Sequence, residues 1–219
     1  MAATNEPVWM RQRGDRRRKL SREALVATAI EIADAEGLEA VSIRRIAGEL
    51  NVRAMSLYTH IERKEDLLDL MFDEVAGELV IEDPLPDDWR EAISAIARRE
   101  RDTLLRHPWM VDLAARRPQV GPNALKHGEQ SLAALSRLDV GMKDASKIVM
   151  AVDHYMTGYF VRARMLRERG GEQPYMRDML ATGRFPHLER AFKEGAEDQE
   201  PFEQGLTWLL DGIAREYGA

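Results

Sequence analysis

Cysteine is absent from all 219 residues, which removes disulfides, thiolate metal sites and thiol nucleophiles from the available chemistry. No run of 18 apolar residues occurs, so no membrane span is expected. The charged N-terminus lacks the apolar segment of a secretory signal, and the natural expectation is a soluble cytoplasmic protein. Strand patterning is nearly missing too, while apolar residues recur at helical spacing through most of the chain. An excess of positive charge is also lacking, with 32 Lys and Arg against 38 Asp and Glu. Taken whole, that balance argues against a nucleic-acid partner, but its distribution reverses the argument. Residues 1–64 hold 12 basic against 9 acidic side chains, and the remainder 20 against 29. Screening confines each field to about 10 Å, so a basic module on an acidic body is what local phosphate binding requires.

The informative stretch runs from Ser42 to Lys64, SIRRIAGELNVRAMSLYTHIERK. Ile43, Ile46 and Ala47 stand at i, i+3 and i+4, giving a short helix one buried stripe, with Ser42 placed to cap it. Leu50 and Val52 fill a corner around Asn51. The spacing then predicts a second helix from about Arg53 to Ile61, anchored by Leu57 and Ile61. Its outward residues are Arg53, Ala54, Ser56, Tyr58, Thr59 and His60. A merely solvated helix more usually carries Glu and Lys; this face suits a major groove, where side chains must reach base edges and phosphates without crowding.

With SREALVATAIEIADAEG before it and RKEDLLDLM after it, this helix-turn-helix resembles the DNA-binding domain of the TetR family of transcriptional regulators. The marks are Ala27, Ala33 and Gly37 in helix 1, Val41-Ser42-Ile43-Arg44 entering helix 2, and Ala47 in its middle. Leu57-Tyr58-Thr59-His60-Ile61 follow in helix 3, then Lys64 and Leu67-Leu68 in helix 4. The ending, Phe202-Glu203-Gln204-Gly205-Leu206 with Leu209-Leu210-Asp211-Gly212, is similar to the subgroup whose C-terminal domain is like that of the tetracycline repressor. The resemblance implies an all-α protein: a basic arm over 1–20, a three-helix DNA-binding domain over 21–66, and a larger effector-binding and dimerisation domain over 67–219. It implies as partners a double-stranded DNA operator, a small-molecule effector and a second copy of the chain.

Tyr58 resembles the family's phosphate-binding tyrosine. Lys64 offers an ammonium beside a helix N-terminus, and Ser42 and Ser56 are phosphate donors by the same alignment or simply caps. Arg44 is the candidate for bidentate reading of guanine. Ala54 and Met55 stand where family members contact bases and offer apolar contact with thymine methyls. Specificity then falls to Arg44, His60, the arm and DNA shape. Arg16, Arg17 and Arg18, within the run from Arg11 to Lys19, are either a solvated tail or an arm touching the backbone or minor groove. Leu57 belongs to the core.

Beyond helix 4, Glu82-Asp83-Pro84-Leu85-Pro86 breaks the helical pattern and marks a domain boundary. Asp87 or Asp88 caps the next helix, through Arg106. A short helix spans 110–115, another 123–138, and a long one 143–168 whose apolar residues occupy most of its circumference, so it should be buried on two sides. Residues 170–183 read as a loop with a turn of helix near 176–180, and a short helix from about Pro186 to Glu194 follows. The last helix runs from Pro201 to Tyr217 with Pro201 at its first position. Phe202, Leu206, Leu209, Leu210 and Ile213 form its stripe, and Gly205 and Gly212 stand seven apart. All of these except Leu210 are the expected dimerisation residues, with internal packing as the alternative.

Trp109, His127, Met150, His154, Tyr155, Tyr159 and Phe160 are the expected effector-lining residues, the alternative being plain core. Kinship with the tetracycline repressor would imply a magnesium-chelated drug. The chain, however, has Leu113-Ala114-Ala115 where the metal-binding histidine is expected, so neither metal nor cofactor is expected. Catalysis is not expected either: Asp153-His154 and the pair His127 and Glu129 can be imagined as acid-base groupings, but adjacent helical residues point about 100° apart, and no nucleophile elbow, phosphate loop or metal spacing accompanies them. The function expected is a ligand-responsive, dimeric DNA-binding regulator, more a repressor than an activator. A ligand-independent dimeric DNA-binding protein and a helical enzyme stand as alternatives.

Overall fold

The computed structural model describes residues 20–116, 120–169, 174–195 and 201–218, and every regular element among them is helical. Helix α1 (Arg22–Glu36) opens on Ser21, whose Oγ accepts the Ala24 N–H at 3.1 Å. It closes at Gly37, whose φ of +87° favours a residue without a Cβ. A 3-10 turn leads to α2 (Ile43–Glu49), where Ser42 caps as its position predicts, accepting the Arg45 N–H at 3.2 Å. Next come α3 (Ala54–Leu57) and α4 (Lys64–Leu79). Leu25, Leu57, Leu67 and Met71 are wholly buried, each contributing about 1.5–3 kcal/mol by removing its side chain from water. That shared core lets so short a module hold a fixed outer surface.

The chain divides into two compact units at Met156–Thr157. In the first, α4 packs on α1 and also on α5 (Trp89–Arg106), α6 (Trp109–Arg116) and α7 (Pro122–Ala134). Asp88 caps α5, accepting two N–H groups. Helix α7 opens on Pro122 and receives its cap from another helix: the Asp73 carboxylate of α4 accepts the N–H groups of Asn123 and Ala124 at 2.9 and 3.1 Å. Gln130 of α7 bonds both the N–H and the C=O of Ile81, so the segment after α4 is held as an extra strand would be.

Helix α8 (Met142–Arg169) begins in the first unit and ends in the second. The second unit also contains α9 (Pro174–Ala181), α10 (Pro186–Lys193) and α11 (Phe202–Tyr217). Helix α9 is two full turns where a single turn was expected. Pro201 stands at the N-cap of α11 rather than inside its first turn. The unit's core gathers Phe160, Leu180, Phe202, Leu206, Leu210 and Ala214, with Tyr159 edge-on to Phe160 and Phe202 at 5.3 and 5.1 Å. The expectation that α8 is buried on two sides is not met within one chain, since Met150, Val161 and Met165 are exposed.

Candidate DNA-binding surface and effector domain

The corner between α2 and α3 is set by Asn51, which adopts φ +52°, a left-handed conformation that Asn tolerates better than most residues. The Val52 N–H then returns to the Ala47 carbonyl at 2.9 Å. Helix α3 stops at Leu57 instead of continuing to Ile61. Thr59 Oγ1 donates to the Ser56 carbonyl at 2.7 Å, and the backbone tightens into i to i+3 bonds from Thr59 to Ser56 and from His60 to Leu57. The buried Asp66 carboxylate takes the N–H groups of Glu62 and Arg63 at 2.9 and 3.2 Å. Those donors are thereby committed to starting α4. Leu57 and Ile61 remain buried anchors as the spacing requires.

Arg44, Arg53, Met55, Tyr58, Thr59 and Lys64 are exposed, while Ser42, Ala54, Ser56 and His60 are half-buried. Arg45, next to Arg44, is neutralised by Glu36 at 2.8 Å and Glu49 at 3.0 Å. The expected arm residues Arg16, Arg17 and Arg18 lie outside the described residues.

Behind this surface, a carboxylate of α1 meets the α5–α6 corner. Asp34 Oδ1 accepts the Trp109 Nε1–H at 2.6 Å and lies 2.7 Å from His107 Nδ1. The other face of the buried His107 ring has Nε2 at 3.4 Å from Glu78 of α4, and Arg106 pairs with that same Glu78. Trp109 therefore has its indole edge committed to α1. Sequence reasoning missed Asp34 because an acid on a helix between two apolar positions looks like an ordinary solvated residue.

Among the remaining expected effector residues of the first unit, His127 on α7 is half-buried, its Nδ1 has no hydrogen-bond partner, and burial lowers its pKa so that the ring is neutral at pH 7. Met150 and His154 on α8 are exposed and Tyr155 is half-buried. A residue not anticipated, Glu100 of α5, is pushed up to about 8, first by burial and then by the charge of Asp153 on α8. Asp153 is itself raised by burial, with His154 opposing the shift. In the second unit Tyr159 is half-buried and Phe160 buried. An open groove of about 900 Å3 lies elsewhere, between the segment after α4 and α7, bounded by Val80, Leu85, Leu125, Gln130 and Arg137. None of the expected effector residues lines it. Leu113 is buried and Ala114 and Ala115 carry no donor, so a magnesium-chelated ligand does not fit that position.

On α11, Phe202 and Leu206 point into their own unit, Gly205, Leu209 and Ile213 are half-buried, and Gly212 is exposed. Trp208, which the sequence stripe passed over, is 66 % exposed on the other side of the helix. On the part of α8 in the same unit, Gly158, Val161 and Met165 are exposed at i, i+3 and i+7.

Residues 83–217 match the family of tetracyclin repressor-like C-terminal domains. The chain is 33 % identical over 218 residues to an HTH-type transcriptional regulator of Saccharopolyspora erythraea, covering 96 % of this chain and 92 % of that one. It is 31 % identical over 209 residues to the HTH-type transcriptional repressor DrrR1 of Streptomyces coeruleorubidus, covering 89 % and 77 %. Among solved structures, the TetR family protein ActR of Streptomyces coelicolor in complex with actinorhodin superposes with a TM-score of 0.75 at 28 % identity, covering 91 % of this chain and 99 % of that one.

Proposed function

This chain belongs to the TetR family of transcriptional regulators, and from that premise we propose that it is a homodimeric repressor released from a palindromic operator by a small apolar or aromatic molecule. The observation that carries the reading is the outer face of the helix-turn-helix, where Arg44, Arg53, Tyr58 and Lys64 are exposed together while Arg45 is neutralised by its own fold. Tyr58 and Lys64 hold phosphates, with Ser42 and Ser56 beside them, and Arg44 reads a base edge. Arg16, Arg17 and Arg18 follow the backbone or the minor groove.

Ligand binding belongs to the helices beyond α4. A solved relative of the same fold holds actinorhodin, and this chain keeps His127 Nδ1 buried without a hydrogen-bond partner and a carboxyl, Glu100, whose pKa is pushed up to about 8. An aromatic molecule with a few polar substituents satisfies both features. The ligand lowers operator affinity by preferring a dimer in which the two recognition helices no longer fit successive major grooves, about 34–36 Å apart.

Selection of bound sequences from a random DNA pool tests the reading, since a regulator of this kind recovers a palindrome. Tyr58→Phe and Lys64→Ala should each weaken all sequences by about 1–3 kcal/mol, and Arg44→Ala should relax preference at one base pair. Deleting residues 1–20 should flatten the salt dependence by about 0.9 in log-log slope per lost phosphate contact. Unchanged affinity in both Tyr58→Ala and Lys64→Ala sinks the placement. A thermal-shift screen that finds no stabilising ligand would favour a ligand-independent DNA-binding protein.

A further inference from the structure

His107 stands at the turn from α5 into α6 and is buried between two carboxylates. Asp34, in the last turn of α1, has Oδ1 at 2.7 Å from Nδ1, and Glu78, next to the last residue of α4, has Oε1 at 3.4 Å from Nε2. So close an approach to Asp34 requires a hydrogen on Nδ1, since two bare acceptors repel at that distance. In the neutral ring Nε2 is then an acceptor turned toward the negative charge of Glu78. The imidazolium instead donates to both carboxylates. Charged neighbours come from each packed element: Asp34 from α1, Glu78 from α4, and from α5 Arg106, which pairs with Glu78. Arg99 of α5 donates to the Glu78 carbonyl, and α6 contributes the neutral Trp109. Ring charge therefore decides whether the histidine joins α1 alone or α1 and α4 together.

Helix α4 packs on α1 and also on α5, α6 and α7, so a bond at its end bears on how the helix-turn-helix is held. Histidine is the side chain whose charge ordinarily changes between pH 5 and 8. We propose that His107 is a proton-operated clasp: a proton taken up at Nε2 bonds the ring to Glu78 while Nδ1–H holds Asp34, which fixes the helix-turn-helix against the α5–α6 corner and tightens operator binding as pH falls. A module already ordered loses less freedom when it binds. The effect on DNA rests on the regulator reading; the clasp itself does not.

The 15N signals of the ring are followed from pH 5 to 8, and affinity for the selected operator is measured over the same range for wild type, His107→Gln, Glu78→Ala and Arg106→Ala. Nδ1 should carry a hydrogen throughout and Nε2 only toward the acid end. Between the two limits wild-type affinity should fall about fivefold more than that of His107→Gln, a comparison that cancels other titrating groups such as His60. Glu78→Ala, at a half-buried position, should lose the same excess and keeps the test available if His107→Gln does not fold. Arg106→Ala should retain it, because both carboxylates stay beside the ring. The proposal is overturned if Nε2 gains no hydrogen in this range, if Glu78→Ala keeps the wild-type dependence, or if Arg106→Ala loses it. A protein that selects no DNA sequence at all overturns the regulator reading; the clasp is then overturned only by a pH dependence of the Nε2 signal that is identical in wild type and Glu78→Ala, and upheld by one that differs.

Discussion

Asp34 and Trp109, 75 positions apart, are joined by a 2.6 Å hydrogen bond from the indole N–H to a carboxylate oxygen that also lies 2.7 Å from His107 Nδ1. Asp34 is on α1, which packs on α2, and Trp109 opens α6. One oxygen thus ties the helix-turn-helix to the corner through which α5 turns into α6. Because Trp109 is buried, its N–H has no water to fall back on, and the bond is most costly when only the acceptor is removed.

Asp34→Ala should therefore lower stability by about 1–3 kcal/mol in urea titrations, with Trp109→Phe costing less because no orphaned donor remains. The two changes should be strongly non-additive, as expected of direct partners. Additive losses would show that the bond contributes nothing beyond its separate residues.

A second long-range clasp joins α4 to α7. Gly121 faces Asp73 so closely that an added Cβ would fall 2.2 Å from its carboxylate oxygen, and that carboxylate caps α7. Gly121→Ala is expected to displace the cap and destabilise by more than Asp73→Ala, whose loss should be about 1–2 kcal/mol, the value of an N-cap. Thermal melts of the two variants decide it; a Gly121→Ala protein as stable as wild type would mean the cap moves without cost.

The local helix signals were legible in the sequence because they depend on near neighbours. Ser42, Asp88 and Leu57 each do what their spacing announces. The length of α3 was not, since it ends through Thr59 and Asp66 bonding to nearby backbone, a choice that apolar periodicity cannot express. The clasps at Asp34 and Asp73 link residues 50 to 75 positions apart, and a lone acid carries no mark of such a partner. Trp208 was passed over for a related reason: a stripe fitted to one face of a helix ignores the apolar residue on the other.

Glu100 gives the protein a pH dependence of its own. In the unfolded chain its carboxyl loses a proton near 4.5, but in the fold only near 8. Below both values the two states bind the same proton and no penalty exists. Between them the folded state alone retains it, so stability falls as pH rises, reaching the full penalty above 8. Asp153 is shifted in the same direction. Glu100→Gln should match wild type near pH 4 and exceed it at pH 8.5 by about 1–3 kcal/mol. That range stays below the full 1.4 kcal/mol per pKa unit because water still reaches part of the side chain. Parallel stability curves for the two proteins from pH 4 to 8.5 would contradict a protonated Glu100.

The proposed dimer makes the last prediction. Within the second unit, Phe202, Leu206 and Leu210 already fill their own core, so substitutions there destroy the fold and report little about association. Trp208, Val161 and Met165 are apolar and uncovered, and Gly158 and Gly212 have open space where a Cβ would stand. Large exposed apolar side chains beside flat helix surfaces mark a face suited to another protein surface, and in a two-fold dimer each such face meets its own copy. Trp208→Asp should therefore yield a folded monomer with lost operator binding, because only a dimer holds two recognition helices on a palindrome. Leu209→Asp, half-buried beside it, should reduce both association and stability. Sedimentation with operator titration separates the effects, and a Trp208→Asp protein that stays dimeric and binds the operator at wild-type affinity would remove this face from the assembly.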